Sequence, residues 1–273
     1  QAHWDLGAGL GLLDAAAPAR MSGSGFSVLQ GDLARLERAL INWFLDVHRT
    51  AGYTEVAVPY LVSPAAMRGT GQLPKLADDM YRCRDDDLYL IPTAEVSVTN
   101  IHRESTLPQE QLPVRYCAFS PCFRREAGAA GKDTRGLLRM HQFHKVELVH
   151  FEHPDRARKA HEELTAQAEG LLQGLELPYR TVLLCTGDLS FAARRCYDLE
   201  VWSPGVGQWL EVSSCSDFGD FQARRAAIRW KGSSGKGYVH TLNGSGLALP
   251  RILVAILENF QDADGTVTVP SVL

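Results

Sequence analysis

Between Cys122 and Val149 the chain reads CFRREAGAAGKDTRGLLRMHQFHKVELV, two strand-forming runs joined by a long glycine-rich loop. The runs carry charge where a buried sheet should be apolar, and few folds accommodate that. Strand side chains alternate between faces, so Arg124 and Glu126 are expected on one face, and Arg139, Phe143 and Glu147 on one face of the returning strand. Either these charges pair with one another on a solvated antiparallel hairpin, or the face is a ligand surface. Arginine forks suit phosphate oxygens, Phe143 offers a flat surface for a base, and Glu126 and Glu147 can accept hydrogen bonds from amino or hydroxyl groups. Together they suit a nucleotide plus a small polar molecule.

The chain has 273 residues, 45% of them hydrophobic, enough for one large domain or two small ones with a real core. A net charge of -4 argues against a surface built for bulk nucleic-acid binding, so any such contact is local. No run reaches the length of a membrane span, and the first 20 residues lack a basic start with an apolar signal core, which places the chain in the cytoplasm. The six cysteines are scattered without a CxxC pair and read as reduced thiols. His141 and His144 fall on opposite strand faces, which disfavours a shared metal.

The first 25 residues, rich in Gly and Ala, read as an irregular lead-in or short helix without chemistry of their own. From Asp32, Leu33, Leu36, Leu40, Trp43, Phe44 and Val47 recur at helical spacing, ending near Gly52. Tyr53 to Val62 reads as a strand that Pro59 confines to an edge or a bend, where another subunit could meet it. Leu88 to Ile91 is a short strand running into Pro92, Thr93, Ala94 and Glu95, then a helix through Ile101. Thr93 and Glu95 could simply cap that helix. A polar helix over Arg156 to Leu175 precedes strands at Tyr179 to Cys185, Tyr197 to Trp202 and Trp209 to Ser213. The last helix, Ile252 to Phe260, is expected after a glycine-containing turn and Pro250. Strands and helices are segregated, so the expected fold is α+β, an antiparallel sheet flanked by helices.

The segments PTAE (92–95), FRREAG with its returning strand, EVSS (211–214) and NGSGLALPR (243–251) closely resemble seryl-tRNA synthetase of the bacterial type. FRREAG resembles motif 2 of the class II aminoacyl-tRNA synthetases, NGSGLALPR motif 3, and the helix after Asp32 with the strand ending at Pro59 motif 1, that family's dimer interface. The TAE, EVSSCS and HTLNGS segments point to the serine-specific enzymes. The resemblance covers nearly the whole chain and implies one class II synthetase-like catalytic domain over residues 1–273.

Carried over residue by residue, it implies ATP binding by Arg124, Arg125, Glu126, Arg139, Phe143, Glu211, Val212, Ser213, Ser214 and Arg251. Within that set Arg124 would hold the α-phosphate, Glu126 the adenine amino group and Phe143 the adenine face, with Arg139 and Arg251 on the outer phosphates. Arg124 and Arg251 would be catalytic, and Glu211 and Ser214 would bind Mg2+, an ion that prefers hard oxygen ligands. Serine binding falls to Thr93, Ala94, Glu95, Glu147, Asn243 and Ser245. The implied reaction joins L-serine to ATP, giving seryl-adenylate and pyrophosphate, then loads the 3′ end of tRNA(Ser) and tRNA(Sec). A homodimer is expected from motif 1. No cysteine cluster matches the zinc-dependent branch, so no zinc is expected.

The family's long N-terminal helical hairpin, which grips tRNA, has no counterpart before Gln1, and the chain is therefore expected to form adenylate while charging tRNA poorly. Gly25 stands where relatives commonly have arginine, and Arg125 where serine is frequent. Two other readings stay open here: an armless paralogue that passes activated amino acid to a carrier-protein thiol, and a non-catalytic paralogue.

Overall fold

The computed structural model describes residues 1–14, 16–127 and 135–273. The glycine- and alanine-rich start forms α1 (His3–Gly9), α2 (Ala17–Met21) and a small ladder of β1 (Leu13–Asp14) with β2 (Val28–Leu29). In α3 (Gly31–Thr50) the buried residues are Leu33, Leu36, Leu40, Phe44 and His48, the stripe of an amphipathic helix. The helix stops because Gly52 takes φ 91°, which lets its N–H reach the Arg49 carbonyl and the Tyr53 N–H reach that of His48. That pair of bonds satisfies two otherwise orphaned carbonyls, the Schellman ending.

Pro59 does more than bend the strand expected over 53–62. Lacking an N–H for a ladder, it separates β3 (Thr54–Glu55) from β4 (Leu61–Val62). α4 (Pro64–Thr70) opens on a proline, with Ser63 accepting from the Ala66 N–H as its cap. β4 pairs with β5 (Tyr89–Leu90), which leads through Pro92 into α5 (Ala94–Thr99), a 3₁₀ turn at Asn100–His102 and β6 (Thr106–Pro108).

The charged hairpin is β7 (Val114–Phe123) and β8 (Gln142–Glu152), antiparallel, with Cys122 opposite Phe143 and Ala118 opposite Glu147. Its strands are shorter at the turn than expected. Arg124, Arg125, Glu126 and Arg139 lie beyond the strand ends, and Glu126 takes a left-handed conformation (φ 52°) that a ladder does not accommodate. Residues 128–134 of the expected glycine-rich loop lie outside the described residues.

α6 (Ala157–Gly174) is followed by β9 (Tyr179–Leu183), β10 (Arg195–Ser203), β11 (Gln208–Asp217) and α7 (Phe221–Ala226). A small hairpin of β12 (Arg229–Gly232) and β13 (Gly235–Tyr238) precedes β14 (His240–Ala248) and α8 (Leu249–Asn259). The glycine-containing stretch before the last helix is thus a central strand, where a turn was expected.

The main sheet has the order β3-β7-β8-β14-β11-β10-β9. It is antiparallel throughout except at the β3–β7 edge, which is parallel. Leu40 and Phe44 of α3, Leu164 and Leu171 of α6 and Leu253 of α8 join the even-numbered residues Val146 and Leu148 of β8 in one fully buried core. On the opposite face, α5 and α7 pack with Val149 and Phe151 over one end of the sheet. The odd-numbered residues of β8 nearer the hairpin turn are left facing a cavity. No helix among the described residues is long and apolar enough to cross a membrane.

Candidate active site

That cavity has a volume of about 370 Å³ and is walled by β8, β11 and β14, the residues flanking the hairpin turn, and the start of α8. Phe143, Lys145 and Glu147, two residues apart on β8, all face it. Arg124 enters from the end of β7, its Nε 3.4 Å from the Pro92 carbonyl and its guanidinium 5.1 Å from the centre of the Phe143 ring. Glu126 and Arg139, both outside the strands, meet in an ion pair of 2.6 Å. Arg251 in the first turn of α8 donates to the carbonyls of Leu138 (3.3 Å) and Glu211 (2.5 Å). Burial pulls the Arg251 pKa down and Glu211 opposes the shift, but a guanidinium stays charged at neutral pH. Three arginines and a phenyl ring therefore converge on one end of the cavity.

Glu211 and Ser214 reach the same space although their numbers differ in parity. The β10–β11 register slips so that Leu199 faces Ser213 and Glu200 faces Glu211, leaving Val212 as the extra residue of a bulge. The bulge re-aims Glu211 onto the face already occupied by Val212, Ser214 and Ser216. Beside them, Asp198 is opposite Ser214 and is pushed above the ordinary carboxyl range by burial and by the Glu211 charge.

At the other end Glu147 and Ser245 are directly opposed across β8 and β14, as are Ser216 and Asn243 across β11 and β14. Thr93 donates to Glu147 (Oγ1 to Oε2, 2.8 Å), and Lys145 contacts the same carboxylate. The α5 cap is Thr93, whose Oγ1 accepts from the Glu95 N–H at 3.3 Å. Glu95 is thus released from capping, and its carboxylate faces the cavity with Gln222 Nε2 2.5 Å away. Burial drives its pKa up to about 7 and the Glu147 charge adds to the rise, against Gln222, Lys145 and Arg124.

Three expected site residues do not line the cavity. Ala94 is buried in the α5 core, and Ser213 is buried behind the wall, donating to the Ser245 carbonyl at 2.7 Å. Arg125 points outward to the Asp78 carbonyl (3.2 Å). Lys145, Gln72 and Ser216 line the cavity and were not anticipated. The parity of Lys145 with Phe143 and Glu147 was a usable signal for the first of these. Among the described residues no histidine lines the cavity.

The family described as tRNA synthetase class II core domain (G, H, P, S and T) matches over residues 80–260. The chain belongs to this class II synthetase family. The match takes in the hairpin, the Glu211 bulge and the start of α8, which together build most of the cavity of this synthetase core. Among curated relatives, the serine–tRNA ligase of Thermosynechococcus vestitus is 60% identical over 275 residues, covering 100% of this chain and 64% of the relative. A solved seryl-tRNA synthetase from Pyrococcus horikoshii, complexed with ATP, superposes with a TM-score of 0.97 at 45% identity, covering 100% of this chain and 61% of that one. The cytoplasmic serine–tRNA ligase of Naegleria fowleri in complex with AMP gives 0.94 at 34% identity, over 99% of this chain and 64% of that one. The synthetase core described here thus spans a little under two thirds of the length of these relatives.

Proposed function

We propose that the chain is the catalytic core of a serine–tRNA ligase. The observation that carries this reading is one cavity with two chemically distinct ends. Arg124, Arg139, Arg251 and Phe143 lie at one end, and Glu95, Thr93, Glu147 and Ser245 at the other. Phe143 and Glu147, four residues apart on β8, set the two ends roughly 13 Å apart at the usual strand rise. The ATP and AMP complexes of the two seryl relatives support a nucleotide in this cavity.

ATP takes the arginine end. Phe143 stacks on the adenine, and Glu126 accepts from its amino group through the oxygen that Arg139 does not engage. Arg124 sits on the α-phosphate, while Arg139 and Arg251 hold the outer phosphates, aided by the partial positive charge at the start of α8. Serine takes the carboxylate end, with its ammonium against Glu95 and Thr93 and its hydroxyl donating to Glu147 beside Ser245 and Asn243. A buried acceptor left unpaired disfavours an amino acid lacking the hydroxyl by about 10⁴-fold or more.

The serine carboxylate is ionised at neutral pH and needs no base. Its oxygen attacks the α-phosphorus and pyrophosphate leaves with the bonding electrons. The terminal ribose hydroxyl of tRNA then attacks the carbonyl carbon of the adenylate, forming the ester and expelling AMP. Alignment and arginine charge lower both barriers. Glu211 and Ser214 offer hard oxygen donors, and the mutual repulsion of Glu211 and Asp198 is what a cation would relieve, so these residues fit Mg2+. When bound, that ion supplies positive charge against the phosphate oxygens.

We place the protein in the cytoplasm as one catalytic domain serving tRNA(Ser) and tRNA(Sec). It is a homodimer through the α3 region, and sedimentation of the chain at the mass of a monomer would remove that part of the reading. The activity itself is tested with Arg124→Ala. Serine-dependent exchange of pyrophosphate into ATP is expected to fall by 10³-fold or more, given about 4 kcal/mol for a charge aligned on the transition state. Near-normal exchange would sink the assignment.

A further inference from the structure

The mouth of the cavity carries a feature that neither small substrate uses. Phe191, from the loop between β9 and β10, is 45% exposed, and Leu76, from the segment after α4, is 42% exposed, although both border the cavity. Phe191 meets Phe221 edge to face, with ring centres 5.9 Å apart. Each ring has a cation against it: Lys75 Nζ lies 4.3 Å from the centre of Phe191, and the Arg225 guanidinium carbon 3.6 Å from that of Phe221. The acidic neighbour Asp220 is engaged with Arg224 at 3.7 Å, and Asp188 faces Cys185. The lip thus presents exposed aromatic surface interleaved with positive charge, the composition that binds unpaired nucleotides.

Position on the molecule narrows the partner. A cavity of about 370 Å³ shared by an amino acid and a nucleotide has no room for paired RNA, so an acceptor strand enters as a single strand and crosses the lip. The lip is continuous with Thr70, Gly71 and Gln72, which line the end of the cavity where Gln222 links the Thr70 carbonyl (3.4 Å) to Glu95. A ribose hydroxyl arriving there reaches the acyl carbon from the amino-acid side, leaving the arginine end to the departing AMP.

We infer that Phe191, Phe221, Lys75 and Arg225 form a docking platform for the unpaired 3′-terminal nucleotides of the acceptor RNA. The inference rests on the reading of the cavity as a serine-activating site, and its test separates the two. Wild-type chain, Phe191→Ala, Phe191→Trp and the double variant Lys75→Glu/Arg225→Glu are compared in three assays. These are serine-dependent pyrophosphate exchange, transfer of labelled serine from the isolated adenylate complex to an RNA hairpin with a CCA 3′ overhang, and fluorescence anisotropy with that hairpin and its blunt counterpart.

Phe191→Ala and the charge-reversal variant should keep exchange within about twofold of wild type, and should lose roughly tenfold or more in transfer and in the preference for the overhang. Phe191→Trp should retain both. Unchanged transfer and preference in Phe191→Ala overturns the platform, and so does a loss of exchange in step with transfer. If the wild type shows no serine-dependent exchange, the serine reading fails, and the overhang preference still decides the platform by itself.

Discussion

On the proposed reading Glu95 receives the ammonium group of serine, and burial works against the charge that this needs. The carboxyl titrates at about 7, so at neutral pH only about half of the protein is ready to receive an ammonium group. The groups that face it are Glu147 and Lys145 from β8, Arg124 beyond β7 and Gln222 from α7. Gln222 cannot turn its amide around, because its Oε1 accepts from Thr241 Oγ1 at 2.7 Å, which commits Nε2 to Glu95. For the empty protein, a carboxyl whose folded pKa is raised adds stability that is fully present below its unfolded value. That stability is lost as pH rises through about 7. For serine binding the direction reverses, since the ionised form is competent. The serine KM in pyrophosphate exchange should fall about tenfold between pH 6 and pH 8, following the ionised fraction. Gln222→Leu removes a donor that favours the charged form, so the inflection should move to higher pH, with KM at pH 7 raised several-fold and kcat changed less. A pH profile of KM identical in the two proteins would refute this role.

Among the elements, those whose burial is one-sided were legible. α3 and α6 announce themselves by apolar residues every three to four positions, and the cavity face of β8 by the parity of Phe143 and Glu147; α8, buried almost all round, is marked instead by Pro250 in its first turn. What misled was glycine. In β14, Gly244 and Gly246 read as a turn, yet a Cβ on Gly244 would lie 2.5 Å from Leu164 of α6, and one on Gly246 2.3 Å from the His48 ring of α3. These glycines let helices approach the back of a strand, a use that a single sequence does not distinguish from a turn. His48 shows how tight that contact is: burial pulls its pKa down to about 4, and its Nε2 lies 3.3 Å from the Gly246 carbonyl, next to Ser245. The bulge at Val212 was equally invisible, because it exists only in the register between two strands. Gln222 and Glu95 meet across 127 residues, which no local pattern encodes.

Over the whole molecule, the first residues reach the site through a buried clamp, although the sequence offers no chemistry for them. His3 in α1 directs its backbone N–H (3.0 Å) and its Nδ1 (2.8 Å) to Glu258 of α8, while its Nε2 accepts from the Leu137 N–H (3.0 Å). Ser203 and the Gly205 N–H complete the shell around the Glu258 carboxylate. Burial alone would raise the Glu258 pKa, but these donors hold it below the usual range. Its stabilising contribution is therefore present above the unfolded value and lost as pH falls through the folded one. The clamp fixes the segment that supplies Leu138, whose carbonyl holds Arg251, and Arg139 itself. His3→Ala leaves a buried carboxylate short of a donor and the Leu137 N–H without a partner, which should cost roughly 3 kcal/mol in urea unfolding at pH 7. The same variant should raise the ATP KM in pyrophosphate exchange several-fold while leaving the serine KM close to wild type, because Glu95, Glu147 and Ser245 stand on α5, β8 and β14. Equal losses for both substrates would mean that the clamp supports the fold in general and not the arginine end of the site.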